Sequence, residues 1–187
     1  LLLLLSYSCL SSVLHAAGVL RDKLLRVMLA SDLDDSFAPK ALAASHVHAT
    51  TACMLLEALG LFSSVASTFG NVGQANYAAG NASLDSFALA RSASGLAASS
   101  LQLPLVKDAG MGAATFDAKQ MTYRGMNAMS LDQYAACVAM QLAAARGAFS
   151  SAPNVPLPAR GLLLSVPSAS QPLFLELVGA EPSAVQA

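Results

Sequence analysis

Residues 59–85, LGLFSSVASTFGNVGQANYAAGNASLD, constrain the fold more than any other stretch. A short apolar run ends in two hydroxyls, Ser63 and Ser64. A loop with Gly70 and Gly73 follows, and then a small-residue helix carrying Tyr77 and Asn81. Positions four apart on a helix share a face, so the phenol and the amide point the same way. A serine at a strand end and a tyrosine on the next helix meet at the strand's carboxyl edge, where open α/β sheets place their ligands. The pattern predicts an active-site geometry.

Strand and helix alternate on either side. Residues 12–18, SVLHAAG, read as a fully buried strand ending in a small-residue turn. Residues 20–29 have helical apolar spacing in Leu20, Leu24, Leu25 and Met28. Ser31 or Asp32 suits the cap of a helix that Pro39 interrupts near Lys40, after which a long amphipathic helix runs to about Ala58. The second strand is 59–64. The Tyr77 helix reaches about Ser94, and Gly95 stands where a helix stop is expected. A third strand, 98–103, ends at Pro104. Residues 107–121 read as a loop leading into a short helix, and Ser130 and Gln133 mark the start of a helix over 131–146. Residues 153–158 suit a short last strand, 159–165 a short helix, and the final dozen a frayed terminus. The βαβ spacing predicts an α/β fold: a parallel sheet with flanking helices.

Composition narrows the function. At 187 residues one domain is the simplest organisation, and a net charge of −1 with no like-charge run argues against nucleic acid. The chain is 55% hydrophobic and 11% charged, much of it alanine and leucine, which favours helix. Cys9, Cys53 and Cys137 form no CxxC or Cys/His cluster, so reduced, buried thiols are expected rather than a metal site or disulfides. The first twenty residues lack Asp, Glu, Lys and Arg, yet carry no basic lead-in of a signal peptide, and their serines and His15 dilute any membrane span. No membrane partner is expected. A cytoplasmic location fits, with an organelle left open.

The segments VLHAAGVLRD (13–22), FAPK (37–40), LFSSVASTFGNVGQANYAAGNASLDSFALAR (61–91) and the GMG near residue 111 together resemble the ketoreductase domain of modular and iterative polyketide synthases, within the short-chain dehydrogenase/reductase superfamily. The resemblance is close over 13–112 and looser beyond. It implies a Rossmann-like fold in a single partial domain, 1–187, with its core at 12–146 and a loosely matched end at 147–187. It also implies reduction, by NADPH, of a β-ketoacyl thioester to the β-hydroxyacyl thioester. The implied partners are an acyl carrier protein with its phosphopantetheine-bound chain and the neighbouring synthase domains.

Carried over residue by residue, the resemblance makes Tyr77 the proton donor to the carbonyl oxygen and Ser64 its second hydrogen bond. Lys40 takes the place of the superfamily lysine, and Asn81 completes the set. Ordinary members have that lysine four residues after the tyrosine. Here Asn81 occupies that position, which is the polyketide ketoreductase arrangement and disfavours a free-standing dehydrogenase. The chemistry needs these types: two donors stabilise charge growing on the oxygen, and an ammonium beside a phenol that titrates near 10 favours the phenolate. Ala16, Ala17, Gly18, Lys40, Tyr77, Pro104 and Leu105 are expected along the cofactor, although many bacterial relatives have a Trp-Gly pair at Pro104-Leu105.

Asp22, Phe69 and Gln74 are expected to govern substrate and stereochemistry. Asp22 ends the triplet Leu20-Arg21-Asp22, where the branch giving the D-hydroxyl carries Leu-Asp-Asp. Phe69 stands where the opposite branch has tryptophan, so the D-alcohol is expected. Ala79 in place of proline suggests an acyl chain without α-epimerisation. Simpler roles compete: Ser64 as a backbone-bonded strand end, with Ser63 reactive instead; His15 as a packed core residue; His46 and His48 as solvent-facing.

One family feature is missing from the sequence. No GxGxxG precedes residue 59, and the only glycine in the first fifty residues is Gly18. The resemblance places the phosphate-cradling glycines and first three strands before His15. The chain therefore reads as the carboxyl-terminal half of a ketoreductase, incomplete at its N-terminus, with weak NADPH affinity expected. A non-catalytic, structural remnant is the alternative.

Overall fold

The computed structural model describes residues 10–107, 128–150 and 162–164. Four parallel strands, β1 (Ser12–His15), β2 (Ala58–Ser64), β3 (Ser99–Leu103) and β4 (Leu162–Leu164), lie in the order β1-β2-β3-β4. Between β1 and β2 run α1 (Ala30–Phe37), a π-helical turn (Ala38–Leu42) and α2 (Ala43–Thr51). The short α3 (Ala66–Phe69) and the long α4 (Ala75–Ala93) link β2 to β3, and α5 (Leu131–Ser150) lies between β3 and β4. The predicted parallel α/β sheet with flanking helices is the fold observed.

β2 is the interior strand around which the rest packs, and six of its seven residues are buried. Strand alternation sends Leu59 and Leu61 into a core with Ala44, Leu56, Leu84 and Ala88, on the face covered by α4. The opposite face meets α5: Phe62 lies against Tyr134 with ring centroids 6.1 Å apart, and Gly60 faces Gln141. Burying the Leu59 and Leu61 side chains contributes about 1.5–3 kcal/mol each.

α5 starts as predicted. Gln133 donates its backbone N–H to Ser130 Oγ at 3.2 Å while its Oε1 accepts the Ser130 N–H at 2.8 Å, a reciprocal cap. Further along, Gln141 is 2% exposed and neither its Oε1 nor its Nε2 has a hydrogen-bond partner among the described residues. A buried amide left unpaired costs about 1–3 kcal/mol. Gln141→Leu is therefore expected to raise stability by about 1 kcal/mol or more in urea denaturation, and a lower midpoint would show that the amide has a partner in solution.

Several expectations are corrected. Residues 20–29 form no helix beyond a single 3-10 turn, Leu25–Val27, and Leu25, Val27 and Leu29 are 74%, 58% and 61% exposed. The spacing is helical, but Leu24 and Leu25 of that stripe stay exposed, 42% and 74%. The Lys23 backbone N–H is instead held by Gly73 O at 2.8 Å and its ammonium by both Asp32 oxygens. β1 is shorter than 12–18 and not fully buried, because it is the edge of the described sheet and Leu14 is 46% exposed. Asp32 caps α1 from inside its first turn, accepting the Leu29 N–H at 2.9 Å.

Pro39 widens the helix instead of interrupting it. A proline has no N–H and crowds the carbonyl four residues back. The chain absorbs this as a π turn, in which Ala43 N donates to Ala38 O, and α2 ends at Thr51 rather than near Ala58. Residues 162–164, expected in a helix, pair instead with 100–102 of β3. A short apolar run does not distinguish strand from buried helix by period. Cys53 is exposed and Cys137 half-buried, not the buried thiols expected. His48 does not simply face solvent: its Nδ1 meets the Arg91 guanidinium and its ring lies edge-on to Phe87. Cys9, the GMG near 111, the helix after the 107–121 loop, the 153–158 strand and the last dozen residues lie outside the described residues.

Candidate active site

Parallel pairing puts the carboxyl ends of β1, β2 and β3 on one edge of the sheet. Ala16, Ala17 and Gly18 leave β1 there, Ser64 ends β2, and Pro104 and Leu105 leave β3. Ala16 and Ala17 are exposed and Pro104 is buried. The α4 helix enters from the loop above this edge, with Gly73 at φ 78°, a left-handed conformation glycine adopts without strain. Its far end stops at Gly95, φ 77°, where Leu96 N reaches back to Arg91 O at 3.0 Å.

The structure brings Lys40, Ser64, Tyr77 and Asn81 together. Lys40 leaves the π turn and is 3% exposed. Its Nζ donates to Phe62 O at 3.0 Å and lies 5.5 Å from the Tyr77 ring centroid. The lysine stem passes Gly80 of α4, where a Cβ would stand 3.5 Å from Lys40 Cδ and 3.4 Å from Ser36 O. The ammonium thus sits over the ring as a cation–π contact.

Strand alternation separates the two serines. Ser63 is buried and gives its hydroxyl to Asn81 O at 3.3 Å, a packing role. Ser64 is half-buried and accepts the Ala66 N–H at 3.2 Å. Asn81 is fully buried. Its Nδ2 donates to Tyr77 O at 2.8 Å, and its Oδ1 has no partner among the described residues.

Burial raises the Tyr77 phenol above its ordinary value. Hydrogen bonds from Ser64 and Asn81 act the other way, and the Asp22 charge adds to the rise. Burial lowers Lys40 to about 8, against an opposing pull from the Asp85 carboxylate. At neutral pH the lysine is still largely cationic.

A pH dependence of stability follows. Between about 8 and the ordinary 10.5 the unfolded lysine holds a proton that the folded one has released, so stability rises with pH across that window. Below about 8 both states are charged and the burial cost is fully present. Urea midpoints from pH 7.5 to 9.5 are expected to climb for this chain and to stay flatter for Lys40→Met. A parallel climb in both would assign it to another group.

The residues expected to govern stereochemistry divide. Gln74 is 4% exposed and donates its Nε2 to Asp22 Oδ2 at 2.8 Å, so these two meet beside the Tyr77 helix. Phe69 sits at the end of α3 with its N–H on Val65 O.

Two residues escaped the sequence reading. Asn76, 1% exposed, donates to Arg21 O, Asp32 O and Ser36 Oγ at 2.9–3.1 Å and accepts the Tyr77 N–H, which pins the start of α4 to α1. Asp85, 8% exposed, accepts Ser100 Oγ at 2.6 Å, Ser67 Oγ at 2.7 Å and Gln102 Nε2 at 2.8 Å. Their signal was faint: a polar residue amid alanines on a helix facing a sheet.

Whether these residues suit a polyhydroxylated cofactor can be tested on the unpaired groups. The Lys40 ammonium has three donors, and Phe62 O is the one acceptor given it among the described residues. Asn81 Oδ1 is a buried acceptor without a donor. Both suit a ligand rich in hydroxyls.

The KR domain family matches residues 5–108. This chain belongs to the ketoreductase domains of polyketide synthases. It is similar to polyketide synthase GfsB of Streptomyces halstedii, 37% identical over 172 residues, covering 87% of this chain and 3% of that protein. Polyketide synthase GfsA of the same organism is 48% identical over 101 residues, covering 54% of this chain and 1% of that protein. Among solved structures, the first ketoreductase of the tylosin synthase aligns with TM-score 0.63 and 37% identity, covering 73% of this chain and 30% of that one. A structure of A-type ketoreductases from a modular polyketide synthase aligns with TM-score 0.65 and 34% identity, covering 71% and 28%. The chain thus spans a few percent of these synthases and under a third of the solved ketoreductases. The family implies ketoreduction with a nicotinamide cofactor. Among the described residues no helix is long and apolar enough to cross a membrane, and no group of His, Cys, Asp or Glu suits a metal.

Proposed function

We propose that this chain forms the catalytic part of an NADPH-dependent reductase that converts a β-ketoacyl thioester into a β-hydroxyacyl thioester. The observation that carries this reading is the buried Lys40 ammonium over the Tyr77 ring, on the helix where Asn81 holds the Tyr77 backbone oxygen. Residues 1–187 act as one partial ketoreductase domain with its core at 12–146. An acyl carrier protein presents the chain through its phosphopantetheine arm, and neighbouring synthase domains supply and take up the intermediate.

Tyr77 donates the proton to the carbonyl oxygen, and the Ser64 hydroxyl gives that oxygen a second hydrogen bond as charge develops there. Lys40 holds ribose hydroxyls and, as a cation, favours release of the phenolic proton. Asn81 keeps the Tyr77 turn in place and offers Oδ1 to a water or hydroxyl. Ala16, Ala17, Gly18, Pro104 and Leu105 border the cofactor. Bound there, the nicotinamide supplies hydride to the β-carbon. Asp22 and Gln74, with Phe69 at the rim, set the face of the ketone that is presented, with the D-alcohol expected.

The test is calorimetric NADPH binding by this chain, followed by turnover of a β-ketoacyl thioester with chiral analysis of the product. Binding and turnover to the D-alcohol support the reading. No binding by a folded chain would overturn it in favour of a structural remnant, and an L-alcohol would overturn the stereochemical part alone.

A further inference from the structure

His15 is the last residue of β1 and is 8% exposed. Its Nε2 lies 3.2 Å from the backbone oxygen of Lys40. A carbonyl only accepts, so Nε2 carries the hydrogen. The contact lands within the π turn Ala38–Leu42, and π turns are uncommon in helices and frequent at functional sites. In the sheet His15 is paired with Leu61, the residue before Phe62, whose oxygen holds the Lys40 ammonium. Lys40 is thus gripped at both ends by neighbouring strands, its backbone from β1 and its Nζ from β2.

We infer that His15 is a positioning residue: its Nε2–H anchors the Lys40 carbonyl and fixes the π turn that delivers the ammonium to Tyr77. The inference rests on Lys40 and Tyr77 being the working pair proposed above. A lysine side chain has several rotatable bonds and a costly buried charge, so it holds one geometry only where its backbone is fixed. Without the imidazole donor, the buried Lys40 carbonyl has lost a partner from outside the helix. The wide turn is then free to revert toward α-helical register, which rotates Lys40 away from β2.

The test reads Lys40 directly, without cofactor or turnover. Trace acetic anhydride labelling of the full chain, quantified by mass spectrometry, gives the accessibility of Lys40 against the exposed Lys107 as internal reference. In His15→Leu, Lys40 labelling is expected to rise about tenfold relative to Lys107, the scale of one lost hydrogen bond to a buried group. His15→Gln, which keeps an N–H donor, is expected to label as slowly as the unaltered chain. Equal labelling in His15→Leu and the unaltered chain would overturn the inference. Fast labelling in His15→Gln would also overturn it, by assigning the effect to ring volume. Should His15→Leu not fold, His15→Phe keeps the ring without the donor and makes the same comparison. Turnover separates the two readings: slow labelling with a silent enzyme sinks the reductase proposal and leaves the His15 anchor standing.

Discussion

Tyr77→Phe is expected to lower turnover of a β-ketoacyl thioester by about 10²–10⁴, the range for a lost general acid, with the fold intact. The substitution removes one oxygen from a half-buried ring on a 19-residue helix and leaves the backbone contacts of Asn76 and Asn81 in place. Thermal stability is therefore expected to change by less than about 1 kcal/mol. Ser64→Ala, with Tyr77 present, is expected to cost about 10² through the lost oxyanion donor. Steady-state kinetics beside a melting curve check both. Turnover within a factor of a few in Tyr77→Phe would remove Tyr77 as proton donor and leave the fold assignment untouched.

Asp85→Ala is expected to have the largest effect on stability. The carboxylate accepts from Ser67, Ser100 and Gln102, which ties α4 to α3 and β3 in one buried network. Truncation leaves three donors facing a void and removes a charge-assisted set of bonds. At about 1–3 kcal/mol for each buried group left unpaired, the loss is about 3–5 kcal/mol. For a chain of this size that corresponds to a melting temperature lower by roughly 6–20 °C. Asp85→Asn retains one acceptor but turns an N–H₂ toward other donors, so an intermediate loss is expected. Removing the negative charge also takes away the Asp85 pull that holds Lys40 up against burial, so the Lys40 amine is expected to titrate below its present value of about 8. Amine labelling against pH in Asp85→Asn reads that shift. A Lys40 titration unmoved by the substitution would uncouple the two residues.

The site and the core were legible to different depths. Apolar continuity fixed β2, because a strand buried on both faces has no polar alternation to display. Small residues and a glycine at the right distance fixed α4 and its end at Gly95. The Ser130/Gln133 pair marked the start of α5, because a reciprocal cap is a local, four-residue interaction. Ser64, Tyr77 and Asn81 stood close enough in sequence for strand and helix geometry to place them on one edge. Lys40 was reachable only through the resemblance, since nothing local distinguishes it from a surface lysine.

What the sequence by itself determined was whatever depends on neighbours within about one turn or one strand: the interior strand, the tyrosine helix, the caps and the order of elements. Tertiary structure alone decided which apolar faces found partners. Leu20, Leu24, Leu25 and Met28 carry a helical period but remain in an irregular segment tied down by Lys23, and Leu162–Leu164 joins the sheet because β3 offers a free edge. It also decided that Pro39 widens a helix instead of ending it, and that the carbonyl of the following lysine is taken up by His15. Asn76 and Asp85 acquire their roles from groups 15 to 55 residues away. Burial and long-range hydrogen bonds are properties of the packed chain, so local periodicity carries no record of them.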